Sequence, residues 1–312
     1  MSEPGKIISI VTSVYYNAES LPLLFNEMTA FEKELLKRNV GLELIFVNDG
    51  SGDTSLEELL KIKRARPSTK IISLSRNFGA VAASKAGLRF VTGDAFVLFP
   101  ADLQEPLDQV LQMVDRWLEG NKFIISVRAS RGDPWLTRLF ASAYYRIVNW
   151  VAVSNYPKGG FDLMVMDKVM LPYMAKSNKH TNPPLYAFWL GFRPVILHYH
   201  RRERRHGRSR WTFIKKLNLF VDSMSGFSVT PIRMLSLFGI VAAFLSVLYG
   251  INIAISALFG NVEIRGFATL ATLISFFSGL ILIMLGVLGE YLWRVFDMVN
   301  NNPESVIDET FL

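Results

Sequence analysis

Two stretches of this 312-residue chain hold no charged side chain: 29 residues from 234 to 262 and 24 residues from 266 to 289. Each exceeds the roughly 20 residues that an α-helix needs to cross a bilayer. A helix that is apolar on every side has no water-facing place in a soluble fold. The chain is therefore expected to carry a two-helix transmembrane hairpin over 231–296, with spans at about 234–260 and 266–292. Basic residues flank its outer ends at Arg233, Arg294 and Arg201 to Lys216. Because Lys and Arg concentrate on the cytoplasmic side, the parts before and after the hairpin are both expected there, the latter as a tail over 297–312. This is the pattern of an integral protein of the inner or plasma membrane. Gly239, Gly250, Gly279, Gly286 and Gly289 would let the helices approach closely; a homo-oligomer is allowed but not required.

Composition agrees with a membrane portion, since half of the residues are hydrophobic and the mean hydropathy is +0.26. There is no cysteine, which excludes disulfides, thiolate metal sites and cysteine nucleophiles. The polar start Met1-Ser2-Glu3-Pro4-Gly5 runs straight into a strand pattern and shows no cleavable signal peptide.

Residues Lys6 to Tyr15 read as a strand, followed by a helix with Leu21, Leu24, Phe25, Met28, Phe31 and Leu35 at helical spacing. The unit repeats: strands at 42–47, 70–74, 94–99 and 122–127, helices at 54–63, 80–90 and 107–118. Alternating β-branched runs and helical patterns specify a mostly parallel sheet with right-handed crossovers. The expected fold class is an α/β, Rossmann-like domain over 1–210, with further strands near 161–166 and 194–200.

The run Val97-Leu98-Phe99-Pro100-Ala101-Asp102-Leu103-Gln104-Glu105-Pro106 ends a buried strand in acids and an amide. Ligands of open α/β sheets collect beyond the carboxyl ends of strands. Asp102 and Gln104 offer hard oxygens suited to magnesium or manganese, which also take substrate phosphate oxygens. The alternative is that Asp102 only caps the helix that follows.

Trp135 to Val153 mixes aromatics with Arg138 and Arg146, as either an interfacial helix or a core helix would. Arg201 to Lys216 packs eight basic residues against Glu203 alone. Lying next to apolar segments, this cluster suits anionic lipid headgroups or a phosphorylated substrate better than nucleic acid. The aromatic-rich stretch over 211–230 is expected to be an interfacial amphipathic helix.

Six segments in order resemble the family-2, GT-A fold polyisoprenyl-phosphate glycosyltransferases, which include dolichol-phosphate mannose synthase and bacterial undecaprenyl-phosphate glycosyltransferases. They are Tyr16-Asn17, Val47-Asn48-Asp49-Gly50-Ser51, Leu74-Ser75-Arg76-Asn77-Phe78-Gly79, Ala101-Asp102-Leu103-Gln104-Glu105-Pro106, Arg205-His206-Gly207-Arg208-Ser209-Arg210-Trp211 and Gly286-Val287-Leu288-Gly289-Glu290-Tyr291-Leu292-Trp293-Arg294. The resemblance implies inverting transfer of one sugar from a nucleotide-sugar donor to a polyprenyl phosphate, assisted by Mg2+ or Mn2+. It implies a product that supplies a lipid-linked sugar for glycan or lipopolysaccharide modification. It assigns donor binding to Tyr16, Asn17, Asp49, Ser51, Arg76 and Asp102, with Asp49 at the base, and the metal to Asp102 and Gln104. Asp102, Asp162 and Arg205 are implied as catalytic, and Arg205, Ser209 and Arg210 as holding the acceptor phosphate.

The chain departs from the family pattern in three places. Pro100-Ala101-Asp102 stands where the family has Asp-Ala-Asp, Ser13-Val14-Tyr15-Tyr16-Asn17-Ala18-Glu19 where it has Pro-x-Tyr-Asn-Glu, and Gly159-Gly160-Phe161-Asp162 where it has Gly-Asp-Phe-Arg. The missing acid at Pro100 keeps a second reading open, a silent family member serving as a membrane assembly or regulatory subunit. A processive polymer synthase is disfavoured, because no Gln-x-x-Arg-Trp motif occurs. The hairpin predicts that a reporter fused after Leu312 lies in the cytoplasm and one inserted near Asn261 on the far side; both on one side would remove it.

Overall fold

The structure is a computed structural model that describes residues 5–128, 142, 144–150, 153, 155–157, 159–179, 181–199, 226–227, 230–258, 266–300 and 302–312. The chain forms two units, one of residues 1–226 with 303–312 and one of 227–302.

The first unit is built on an eight-stranded sheet. Its strands are β1 (Lys6–Val14), β2 (Val40–Asn48), β3 (Lys70–Leu74), β4 (Ala95–Leu98), β5 (Phe123–Arg128), β6 (Leu163–Asp167), β7 (Val195–Tyr199) and β8 (Ile307–Phe311), in the order β7-β5-β6-β4-β1-β2-β3-β8. Neighbouring pairs run parallel except where β6 lies antiparallel between β4 and β5, and where β8 lies antiparallel on β3. All nine residues of β2 are buried, as a central strand covered on both faces requires.

Helices α1 (Leu21–Leu36), α2 (Ser55–Ala65), α3 (Ala80–Leu88) and α4 (Leu107–Leu118) follow the first four strands. The helical spacing of α1 puts Leu21, Leu24, Met28, Phe31 and Leu35 into one core with Val110, Met113, Val114 and Trp117 of α4 and with Ile8, Ile10 and Phe46 of the sheet. Small residues of α3, Ala82, Ala83, Ala86 and Gly87, let it pack closely on β1 and β2, against Val11 and Val47 of the other face. Two short helices, α5 (Leu171–Ala175) and α6 (Pro183–Trp189), separate β6 from β7.

The fold class is the expected one, but two features of the sheet were not in the pattern. The stretch that forms β6 reads as one more strand and carries no sign of its direction. The expected tail instead begins inside a helix and ends in β8, whose alternation is polar because it lies at an edge. Residues 144–150 are helical, with Val148 buried and Trp150 exposed; most of 135–153 and of 211–230 lies outside the described residues.

The second unit holds α7 (Thr230–Leu258) and α8 (Phe267–Asn300), within which Ile232–Ile253 and Thr272–Asn300 are long and apolar enough to cross a membrane. Large apolar side chains such as Leu237, Phe244, Ile274 and Leu282 are exposed, as lipid-facing groups would be. Of the five glycines expected to bring the helices together, Gly239 lies against Met284 of the other helix, and among the described residues a Cβ on any of the other four would meet nothing within 4 Å.

A buried charge near the amino ends of the strands braces the sheet. Glu43 of β2 accepts from Lys70 Nζ at 2.7 Å, Ser9 Oγ at 2.5 Å, Thr92 N at 2.9 Å and Thr92 Oγ1 at 2.6 Å. Burial pushes its pKa up, but Lys70 and these donors outweigh that and hold it below the ordinary glutamate value. A lowered acid contributes stability that is complete above its unfolded value and is lost as the pH falls through the folded one. Glu43→Gln should therefore destabilise the chain by about 2 kcal/mol at neutral pH. In denaturant unfolding of the detergent-solubilised protein, that gap should close as the pH is lowered through the acid range.

Candidate active site at the carboxyl edge of the sheet

Because β1 to β5 and β7 point one way, the segments after them gather along one edge of the sheet. The antiparallel β6 brings its starting end to that same edge. Asp49, Arg76, Asp102, Arg128, Asp162 and Tyr199 therefore share an edge although up to 150 residues separate them. This is where an open α/β sheet binds its ligands.

Asp49 organises the part of the edge formed by β1, β2 and β3. It is almost fully buried, and its carboxylate accepts from Phe78 N at 2.7 Å and Gly79 N at 3.0 Å. Burial raises its pKa, and the two amides offset that only in part. Gly50 has φ +61°, and a Cβ on it would stand 2.3 Å from Arg76 C and 2.6 Å from Asn77 N. Only glycine fits, both for the left-handed backbone and for the contact between the two loops. Arg76 is exposed, with its guanidinium 4.2 Å from the centre of the Phe78 ring.

The loop after β1 is tied to the loop after β2. Tyr16 N donates to Ser51 Oγ at 3.2 Å, Asn17 N to Ser55 Oγ at 3.0 Å and Ala18 N to Asp53 Oδ2 at 3.4 Å. Tyr16 has φ +56°, uncommon for an aromatic residue, and its ring is half exposed. Asn17 Oδ1 accepts from Tyr15 N at 3.0 Å, so this side chain shapes the turn that presents Tyr16.

After β4 the chain turns sharply. Leu103 has φ +57°, Asp102 Oδ1 accepts from Gln104 N at 3.3 Å, and Ala101 O accepts from Ser20 Oγ at 3.1 Å. Leu103 and Ala101 are buried, which leaves Asp102 and Gln104 half-buried on the polar side of the turn. Helix α4 starts after Pro106 with no side-chain cap, so the capping role for Asp102 does not hold. Among the described residues no group of three or more His, Asp or Glu converges into a metal cage. One carboxylate and one amide oxygen suit a hard cation that brings phosphate and water ligands with it.

Asp162 sits just before β6 and faces two partners. Arg128 Nε and Nη2 reach its two oxygens at 2.5 and 2.7 Å, and Tyr199 OH donates to Oδ2 at 2.9 Å. Burial pushes the Arg128 guanidinium down, but Asp162 more than restores it and holds it above its ordinary value. Burial pushes the Tyr199 hydroxyl up, and the charges of Asp162 and Glu105 add to this, so the hydroxyl stays a donor. Gly160, with φ +70°, leaves the space that the Tyr145 hydroxyl occupies beside this turn.

Arg128 and Tyr199 were not among the residues expected at the site. Their signal was positional, since each lies within one residue of the end of a run that reads as a strand, and in the structure each is the last residue of its strand. Of the expected residues, Tyr16, Asn17, Asp49, Ser51, Arg76, Asp102, Gln104 and Asp162 lie along this edge. Arg205, Ser209 and Arg210 lie outside the described residues.

An open α/β domain with acids and arginines along its carboxyl edge, followed by two helices long and apolar enough to cross a membrane, defines a class of α/β ligand-binding folds with candidate membrane spans. The chain matches Glycosyl transferase family 2 over residues 9–175 and belongs to that family. It is 33% identical to the uncharacterized glycosyltransferase YkcC of Bacillus subtilis over 97% of this chain and 94% of that protein. It is 31% identical to the SfII prophage-derived bactoprenol glucosyl transferase of Shigella flexneri, over 97% of this chain and 98% of that one. Among solved structures it resembles the mannosyltransferase PcManGT of Pyrobaculum calidifontis, in complex with GDP-Man and Mn2+. That match has a TM-score of 0.51 at 15% identity and covers 92% of this chain and 87% of the other, a likeness of fold.

The two-pronged contact of Arg128 with Asp162 predicts strong coupling. A double-mutant cycle with Arg128→Met and Asp162→Asn, read by denaturant unfolding, should give a coupling energy of about 2 kcal/mol. A value near zero would mean that the pair does not hold this corner.

Proposed function

We propose that the protein transfers a single sugar from a nucleotide-sugar donor to the phosphate of a polyprenyl carrier, with inversion at the anomeric carbon. The observation that carries this is the extent of the likeness to the bactoprenol glucosyl transferase, which takes in the two apolar helices as well as the catalytic domain. A lipid acceptor explains why the helices accompany the domain.

In this reading the loops after β1, β2 and β3 form the nucleotide pocket. Asp49 would contact the nucleotide base, and Tyr16, Asn17, Ser51 and Arg76 would line the same pocket. Asp102 and Gln104 would hold Mg2+ or Mn2+ together with the donor diphosphate. When bound, that cation neutralises charge on the leaving group.

The nucleophile is an oxygen of the lipid phosphate, already ionised at neutral pH. Its bond to the anomeric carbon forms as the bond from that carbon to the diphosphate oxygen breaks, and no side chain has to remove a proton. Asp162 then contributes by aiming Arg128, while Arg205, Ser209 and Arg210 hold the acceptor phosphate. We place the catalytic domain on the cytoplasmic side of the cell membrane, where nucleotide sugars are made, with the basic stretch against anionic lipid.

The experiment is transfer of labelled sugar from a panel of nucleotide sugars to polyprenyl phosphate in detergent. Activity should disappear with a chelator and return with Mg2+ or Mn2+. Asp102→Asn should lower turnover about a hundredfold, the scale of losing one preorganised electrostatic partner. Transfer that persists in Asp102→Asn and in chelator would move the site off this strand, and a wild-type protein silent with every donor would favour the assembly-subunit reading.

A further inference from the structure

The segment after α8 is built into the catalytic domain beside the loop that clasps Asp49. Four residues after α8 ends at Asn300, Glu304 sets both carboxylate oxygens on Lys85 Nζ, at 2.8 and 2.7 Å. Lys85 lies on α3 and is nearly fully buried; its Nζ also donates to Ser177 O at 2.5 Å and Asn178 O at 3.1 Å. Burial pushes its pKa down, and the Glu304 carboxylate opposes that. Ser305 is buried, Ser75 N donates to Val306 O at 3.0 Å, and β8 then pairs with β3 from Leu74↔Ile307 to Ile71↔Phe311.

These contacts bracket one short segment. Residues 75–79 leave β3 at Ser75, give Phe78 N and Gly79 N to Asp49, and enter α3, the helix that carries Lys85. The loop is thus held at its start by Val306 and along the helix that follows it by Glu304. Both belong to the stretch next to the second apolar helix.

We infer that Lys85 and Glu304 are positioning residues for the nucleotide pocket, and that 303–312 is a strap that fixes the 75–79 loop rather than a free tail. This rests on reading the Asp49 edge as the donor pocket. A buried ammonium stripped of its carboxylate is strongly unfavourable, so the loss of Glu304 is relieved by movement of α3 and of the loop in front of it. The donor pocket is then set by a segment more than 200 residues away in sequence, joined directly to the membrane-spanning part.

The test uses full-length protein in detergent, titrated with uridine and guanosine diphosphates, with hydrogen exchange followed at residues 75–79. Glu304→Gln should weaken the nucleotide that the wild type binds by about tenfold, within the usual span of coupling between sites. It should speed exchange at Phe78 and Gly79, and raise the donor KM with little change in kcat. Glu304→Asp, which keeps the charge, should recover most of the affinity; if Glu304→Gln does not fold, a smaller shift in the same direction with Glu304→Asp is the expected result. Unchanged affinity and unchanged exchange at 75–79 in the folded variants would overturn the inference while leaving the donor pocket standing. Failure of the wild type to bind either nucleotide would overturn the donor-pocket reading, and this inference with it.

Discussion

Burying a carboxylate without a counter-ion is expensive, and Asp49 is almost fully buried at the edge where ligands are expected. Among the described residues its partners are two backbone amides of the next loop, so the loops after β2 and β3 keep their form by holding each other. Gly50 allows that closeness, because any larger residue would strike the backbone of Arg76 and Asn77. The loop after β1 is then fastened to the same assembly through Ser51, Asp53 and Ser55. Three crossover loops become one rigid rim.

The rest of the edge works by charge. Arg128, Asp162 and Tyr199 come from the ends of three different strands and meet only because β6 runs against its neighbours. Asp162 holds a guanidinium in a fixed orientation, which is what an anionic reactant would need from this corner. Between rim and corner lies the Asp102 turn, set by the left-handed Leu103 and the buried Ala101. Asp102 offers one half-buried carboxylate there and Glu105 beside it is buried, a set that suits an ion delivered with phosphate oxygens better than one held by protein alone.

Much of the fold could be read from local pattern. β-branched runs alternating with helical spacing marked β1 to β5 and α1 to α4, since each element buries one face and writes that period into the chain. The apolar helices were the plainest feature, because each is written as a long stretch without a charged side chain. What the pattern lacked was pairing: nothing local tells that β6 is antiparallel or that the polar Ile307–Phe311 finds an edge on β3, as both depend on partners far along the chain. The site divides the same way. Asp102 stood out as an acid at a strand end and Asp49 and Asp162 through the family resemblance, whereas Arg128 and Tyr199 became visible only once the strand order brought them to Asp162, and the Lys85 clamp only once Glu304 was placed beside it.

The central claim is that one sugar is moved from a nucleotide to a lipid phosphate. Mass spectrometry of the lipids recovered after purified protein is incubated with nucleotide sugars and undecaprenyl phosphate tests it most directly. The account predicts a lipid heavier by a single sugar residue, joined through one phosphate, with the nucleoside diphosphate released. A ladder of several sugars, a sugar joined through a diphosphate, or a lipid left unchanged with every donor would contradict it.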